Sequence, residues 1–126
     1  MLPYKRVDRV KKLLHKTVSE LIYELKSPNL PMITITDVKL MDNFDYARIF
    51  FSLIGDKKLI EKTEEYLNSR AGFIRHRLGE EIRIYKIPAL TFVYDETYER
   101  AERIFSLLKN EVPESPEKPL ENNENK

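Results

Sequence analysis

The chain of 126 residues contains no cysteine, only three glycines, and no apolar run of membrane-spanning length. Without thiols, neither a disulfide framework nor a thiolate metal site can be built, and a reducing cytoplasm is the expected setting. The three glycines, at 55, 72 and 79, form no P-loop, dinucleotide fingerprint or serine elbow. Charged residues near the start, Lys5, Arg6, Asp8 and Arg9, are not followed by the apolar segment of a secretory leader. These absences leave a membrane-free, single-domain protein with one core as the expectation.

Charge of one sign is also scarce overall, with 22 basic and 21 acidic residues, yet its distribution is uneven. Residues 111–126 hold five acids and two lysines, so the remainder carries 20 basic against 16 acidic residues, a net +4. That segment also contains Pro113, Pro116 and Pro119 and almost nothing apolar, which predicts a disordered acidic tail after a folded domain spanning 1–110. The folded part is therefore mildly basic.

Val7, Val10, Leu14, Val18, Leu21, Ile22 and Leu25 recur at helical spacing from Pro3 to a stop at Ser27-Pro28. On the opposite side Lys5, Arg9, Lys12 and Lys16 fall four, three and four residues apart, in one narrow stripe flanked by Arg6 and Lys11. Lysines commonly occupy a solvated helix face. Here, however, like charges at i,i+3 and i,i+4 cost about 0.2–0.5 kcal/mol per pair, with Asp8 and Glu20 the only local relief. Positive charge in a first turn also opposes the helix dipole. A stripe kept at such cost suggests a polyanion as its partner.

Ile33-Thr34-Ile35-Thr36 alternates as a strand does, and Val38 and Leu40 shift the apolar phase, predicting a bulge near Asp37. A turn at Asp42-Asn43-Phe44-Asp45 leads to a second strand with Ala47, Ile49, Phe51 and Leu53 on one face and Tyr46, Arg48, Phe50 and Ser52 on the other. Asp56 is a plausible N-cap for a helix carrying Leu59, Ile60, Thr63, Tyr66 and Leu67. Gly72, at a cost of about 1 kcal/mol against alanine, predicts a break at Ala71-Gly72 before Phe73, Ile74 and Leu78 resume the pattern up to Gly79. Arg70, Arg75 and Arg77 cluster around that break. The third strand is expected from Ile82 to Tyr94, including Arg83 and Lys86, with Pro88 marking an edge or a bulge. A final helix is expected from Thr97, with Tyr98, Ala101, Ile104, Phe105 and Leu108 on one side.

The order α-β-β-α-α-β, with too few strands to bury both sheet faces, implies an α+β fold with helices packed on one face of a three-stranded sheet. That order is the one found in type II KH domains. Five segments resemble the ribosome-binding factor A family: Arg6-Val7 with the first helix, Ile33 to Val38, Asp45 to Ile49, Ala71 to Arg75, and Ile87 to Asp95. KH modules clamp nucleic-acid backbone with a GXXG loop, which this chain lacks. The resemblance implies instead a helix-kink-helix with an Ala-X-Gly sequence, in which Arg70 here takes the first position.

What the resemblance implies is a non-catalytic assembly factor that binds the small (30S) ribosomal subunit and its 16S rRNA during late maturation. It would work without cofactor or metal, as a cytoplasmic monomer, alongside other assembly factors. Lys5, Arg6, Arg9, Lys12 and Lys16, with Arg70, Arg75, Arg77, Arg83 and Lys86, would neutralise phosphates. Ala71 and Gly72 would allow close approach of RNA at the break. Tyr46, Phe50 and Tyr85 are candidates for base stacking if the sheet face is open, though strand aromatics more often cover a sheet.

Two other classes fit less well. A metal-dependent nuclease would need Asp37, Asp42, Asp45 and Asp95 to converge, whereas two of them read as turn residues and one as a helix lead-in. His15 and His76 lie on different helices without metal-ligand spacing. A protein-docking module would use the acidic tail or Glu99, Arg100, Glu102 and Arg103 of the last helix.

Overall fold

The computed structural model describes residues 6–25, 30–84 and 86–111. Lys5, the Ser27-Pro28 stop, Tyr85 and the tail beyond Glu111 lie outside them. Helix α1 covers Arg6–Leu25, strand β1 Thr34–Met41, β2 Tyr46–Ser52, helix α2 Lys57–Ser69, α3 Ala71–Glu81, strand β3 Ala89–Tyr94 and helix α4 Thr97–Glu111. Through Asp95 these elements form one compact unit, while α4 belongs to a second that starts at Glu96. Glu111, the first residue of the expected tail, closes α4.

The sheet has the order β1-β2-β3. β1 and β2 form an antiparallel hairpin whose register slips between Ile35 and Asp37, so the bulge lies at Thr36, one residue before the phase shift in the sequence. β2 and β3 run parallel, because the α2–α3 pair carries the chain back across the sheet between them. Alternation puts Ile35, Val38, Ala47, Ile49, Phe51, Leu90 and Phe92 on one buried face, where Val10, Leu14, Val18 and Leu21 of α1, Leu67 of α2 and Ile74 and Leu78 of α3 meet them. Phe51 and Tyr94 add an edge-to-face contact at 5.8 Å between ring centroids. Three helices on one face of a mixed three-stranded sheet, in this order, make a type II KH-like fold.

The third strand is shorter than its alternation suggests. Ile82 is buried, Arg83 exposed and Ile84 half-buried, yet none of them pairs with a strand. Pairing begins only at Ala89, opposite Tyr46, where the Ala89 N–H donates to the Asp45 carbonyl. β3 is an edge strand, and Pro88 sits buried just before it, so its missing N–H removes no ladder bond.

The free side of β3 is occupied by side chains from α2 and α3. The Phe92 N–H donates to Asn68 Oδ1 at 2.7 Å and Asn68 Nδ2 donates back to the Phe92 carbonyl at 2.9 Å. Glu64 accepts from the Tyr94 N–H at 2.9 Å. Arg75 donates to the carbonyls of Ile87 and Pro88, at 2.9 and 3.2 Å.

The break between α2 and α3 falls on Arg70, immediately before Ala71-Gly72, with φ −99° and ψ 2° in the sparsely populated bridge region. Gly72 has no left-handed backbone, and a Cβ there would meet no atom within 4 Å. Gly79 does not end its helix either, since α3 continues to Glu81 and caps on the extended Ile82. Asp56 does cap α2, accepting from the Leu59 N–H at 2.8 Å.

Candidate nucleic-acid interface

The buried stripe of α1 fixes where its charges go. With Val10, Leu14, Val18 and Leu21 in the core, Arg6, Arg9, Lys12 and Lys16 are exposed. Arg6 and Arg9 lie on the side of α1 that faces Arg83, Ile84 and Lys86, and there Arg83 and Lys86 join them around one cavity of about 330 Å³. Its floor is apolar, made by Val10, Leu13 and Ile84, and Phe44 forms a wall. The Arg6 guanidinium lies 5.6 Å from the Phe44 ring centroid, within cation–π range.

Phe44 is held there by an unusual turn. Asp42, Asn43 and Phe44 are consecutive left-handed residues, with φ of 52°, 58° and 72°. Asp and Asn tolerate that region, but a bulky ring does so at a cost, which the closing Asp45 N–H to Asp42 carbonyl bond at 3.0 Å offsets. Asp45 then accepts from the Lys86 ammonium, tying the turn to the segment before β3. In the sequence Phe44 reads only as a turn residue. A large apolar side chain inside an otherwise polar Asp-Asn-X-Asp turn was the available signal.

Lys12 and Lys16 open on the other flank of α1. With Lys11, His15, Asp37 and Val38 they line a second cavity of about 420 Å³ against β1. Lys16 pairs with Glu20 at 3.3 Å, both side chains well exposed, a contact of little energetic weight. Among the described residues no carboxylate pairs with Arg6, Arg9, Lys12 or Arg83.

The arginines near the helix break line neither cavity. Arg77 is surrounded by Glu24 at 3.2 Å, Glu80 at 3.4 Å and Glu81 at 3.1 Å, and the contact with Glu24 binds α3 to the end of α1. The hydrogen bond to Glu81, followed by the charge of Glu24, raises its ionisation above the ordinary value despite an opposing contribution from burial. Arg75 spends its Nε and Nη2 on main-chain carbonyls. Arg70 stacks over Phe73 at 4.9 Å, with its Nε buried and unpartnered. The structure thus brings Arg6, Arg9, Arg83 and Lys86 together, sets Lys12 and Lys16 beside them on the same helix, and uses Arg75 and Arg77 inside the fold.

The four carboxylates considered for a metal are dispersed among other tasks. Asp37 accepts from the Val38 N–H at 2.8 Å, Asp42 and Asp45 belong to the turn, and Asp95 accepts from the Thr36 hydroxyl at 2.6 Å. Among the described residues no group of three His, Cys, Asp or Glu side chains could hold a metal ion. No helix among them is long and apolar enough to cross a membrane.

The family model for ribosome-binding factor A matches residues 6–108, which includes the entire groove. The chain belongs to the ribosome-binding factor A family. It is 40% identical over 107 residues to the ribosome-binding factor A of Geotalea daltonii, covering 84% of this chain and 87% of that one. The ribosome-binding factor A of Thermodesulfovibrio yellowstonii is 41% identical over 112 residues, 86% of this chain and 92% of that one. Among solved structures, the crystal structure of ribosome-binding factor A from Thermus thermophilus superposes with a TM-score of 0.63 at 19% identity, over 72% of this chain and 97% of that one. A homology model of the Thermus thermophilus ribosome-binding factor A, fitted into the cryo-EM map of a 30S–RbfA complex, gives 0.58 at 19% identity, over 68% and 91%. These two structural likenesses extend the agreement to the fold.

Proposed function

We propose that the chain binds the small ribosomal subunit through its 16S rRNA during late maturation, by charge and shape alone and without covalent chemistry or a cofactor. Membership of the ribosome-binding factor A family supports the ribosomal partner, as does the fold shared with a protein fitted into a 30S complex. The observation that carries the RNA assignment is the gathering of Arg6, Arg9, Arg83 and Lys86 around one groove, three of them without a carboxylate partner among the described residues. Lys12 and Lys16 extend the cationic track along α1, and Lys5 continues its stripe in the sequence. Cations gathered on an exposed surface neutralise phosphates and release counterions, so affinity falls steeply with salt.

Arg70, Ala71 and Gly72 at the helix break provide a second approach for RNA backbone. Gly72 is exposed and unobstructed there, and Arg70 precedes it by two residues. Arg75 and Arg77 contribute by holding α3 in place. The protein acts as a cytoplasmic monomer, in company with other assembly factors on the same particle.

The test is co-sedimentation of the protein with purified small subunits across a salt series. Binding that weakens with salt, and is lost in Arg9→Glu with Arg83→Glu, is the expected result. Association indifferent to both would overturn the reading, and association surviving nuclease treatment would move it towards a protein partner.

A further inference from the structure

The groove that α1 forms with Phe44, Arg83, Ile84 and Lys86 is built for more than phosphate. A duplex backbone needs cations on an open surface, and an apolar floor beneath them adds nothing to its binding. Here the charges of Arg6, Arg9 and Arg83 surround Val10, Leu13 and Ile84, and the wall is a phenyl ring with a guanidinium already lying over it. A cavity of about 330 Å³ is a concave space, not a flat track. Flat apolar body and attached negative charge are the two halves of a nucleotide.

The turn supplies an independent observation. Three consecutive residues in the left-handed region, the last of them phenylalanine at φ 72°, are costly for a hairpin that could reverse with less strain. The salt bridge from Asp45 to Lys86 links this turn to the residues before β3 at the rim of the groove. The ring this strain maintains packs in part against the core and in part lines the basic cavity, so its position serves both.

From this geometry we infer that the groove receives one unpaired nucleotide of RNA, with its base on the apolar floor and stacked on Phe44 in the place the Arg6 guanidinium holds, and its phosphate between Arg9 and Arg83. Bases drawn out of a stack are recognised in this way by aromatic and guanidinium planes. Any of the four bases offers a π-face, so the site selects single-strandedness over sequence. The inference rests on the RNA-binding reading above and specifies which state of the RNA is bound.

The experiment uses the full chain with two probes of equal length, a single-stranded oligoadenylate carrying one 2-aminopurine and a fully paired RNA duplex. The single strand should bind about tenfold tighter, with quenching of the 2-aminopurine. In Phe44→Leu, which keeps an apolar side chain, the single-strand affinity should fall about tenfold and the quenching should disappear, while duplex affinity stays unchanged. Phe44→Tyr should restore both, which separates stacking from any effect on folding. Arg9→Gln should weaken both probes and reduce the salt slope by about one. Equal binding of the two probes, or a Phe44→Leu variant that quenches like the parent, would overturn the inference. If small-subunit binding persists in that case, the broader reading stands; if it is absent from the parent protein, the broader reading falls first.

Discussion

The α1 groove and the α2–α3 pair carry the same kinds of polar side chain and use them in opposite ways. Along α2 and α3, Glu64, Asn68, Arg75 and Arg77 each end on a backbone group of the sheet edge or on a carboxylate of the same unit. In the groove, Arg6, Arg9 and Arg83 have no carboxylate partner among the described residues. An arginine's partner therefore says more about its role than its place in a cluster does. Arg77, matched to three carboxylates, has little left for a phosphate, because each new contact must displace an existing one.

The comparison breaks most visibly if affinity follows the wrong set. Reversing Arg9 and Arg83 to Glu should lower small-subunit affinity roughly a hundredfold at low salt and remove about two from the salt slope, with the thermal midpoint unchanged. Second in size is Asn68→Ala, which leaves the Phe92 N–H and C=O unpartnered and should cost about 2–3 kcal/mol in urea unfolding, with RNA affinity of the folded protein unaltered. Next is Arg75→Ala, expected to cost about 1–2 kcal/mol by the same measurement and again to spare affinity. An Arg75→Ala variant of full stability but poor RNA binding would erase the distinction drawn here. Smallest is Gly72→Ala, which should raise stability by about 0.5 kcal/mol, since the site is helical and open.

Much of the fold was readable because hydrophobic period and turn chemistry agree. The α1 stripe, the hairpin, the bulge, the Asp56 cap and the edge position implied by Pro88 all follow from local rules. The start of β3 did not, for a physical reason. Ile82-Arg83-Ile84 alternates because one side of it is buried, and burial of an extended chain produces the same period as pairing does. Gly72 misled in a related way: its low helix propensity marks a weak point, yet the bend is taken before it, at Arg70. Of the candidate site, the charges on α1 were legible. Their meeting with Arg83 and Lys86 was not, since it depends on where an unpaired segment runs in space. Nor could sequence show that Arg77 is matched by Glu24, 53 residues away.

The bonds that Asn68 makes with Phe92 also bear on how the molecule behaves at high concentration. A strand with one bare side is a template on which another copy can lay its own strand, and successive additions lead to fibres. By returning one donor and one acceptor to a single residue, the amide of Asn68 imitates a neighbouring strand at that rung. At Phe92 an added strand finds the donor and the acceptor already taken, so the carboxamide serves there as a terminator built into a helix.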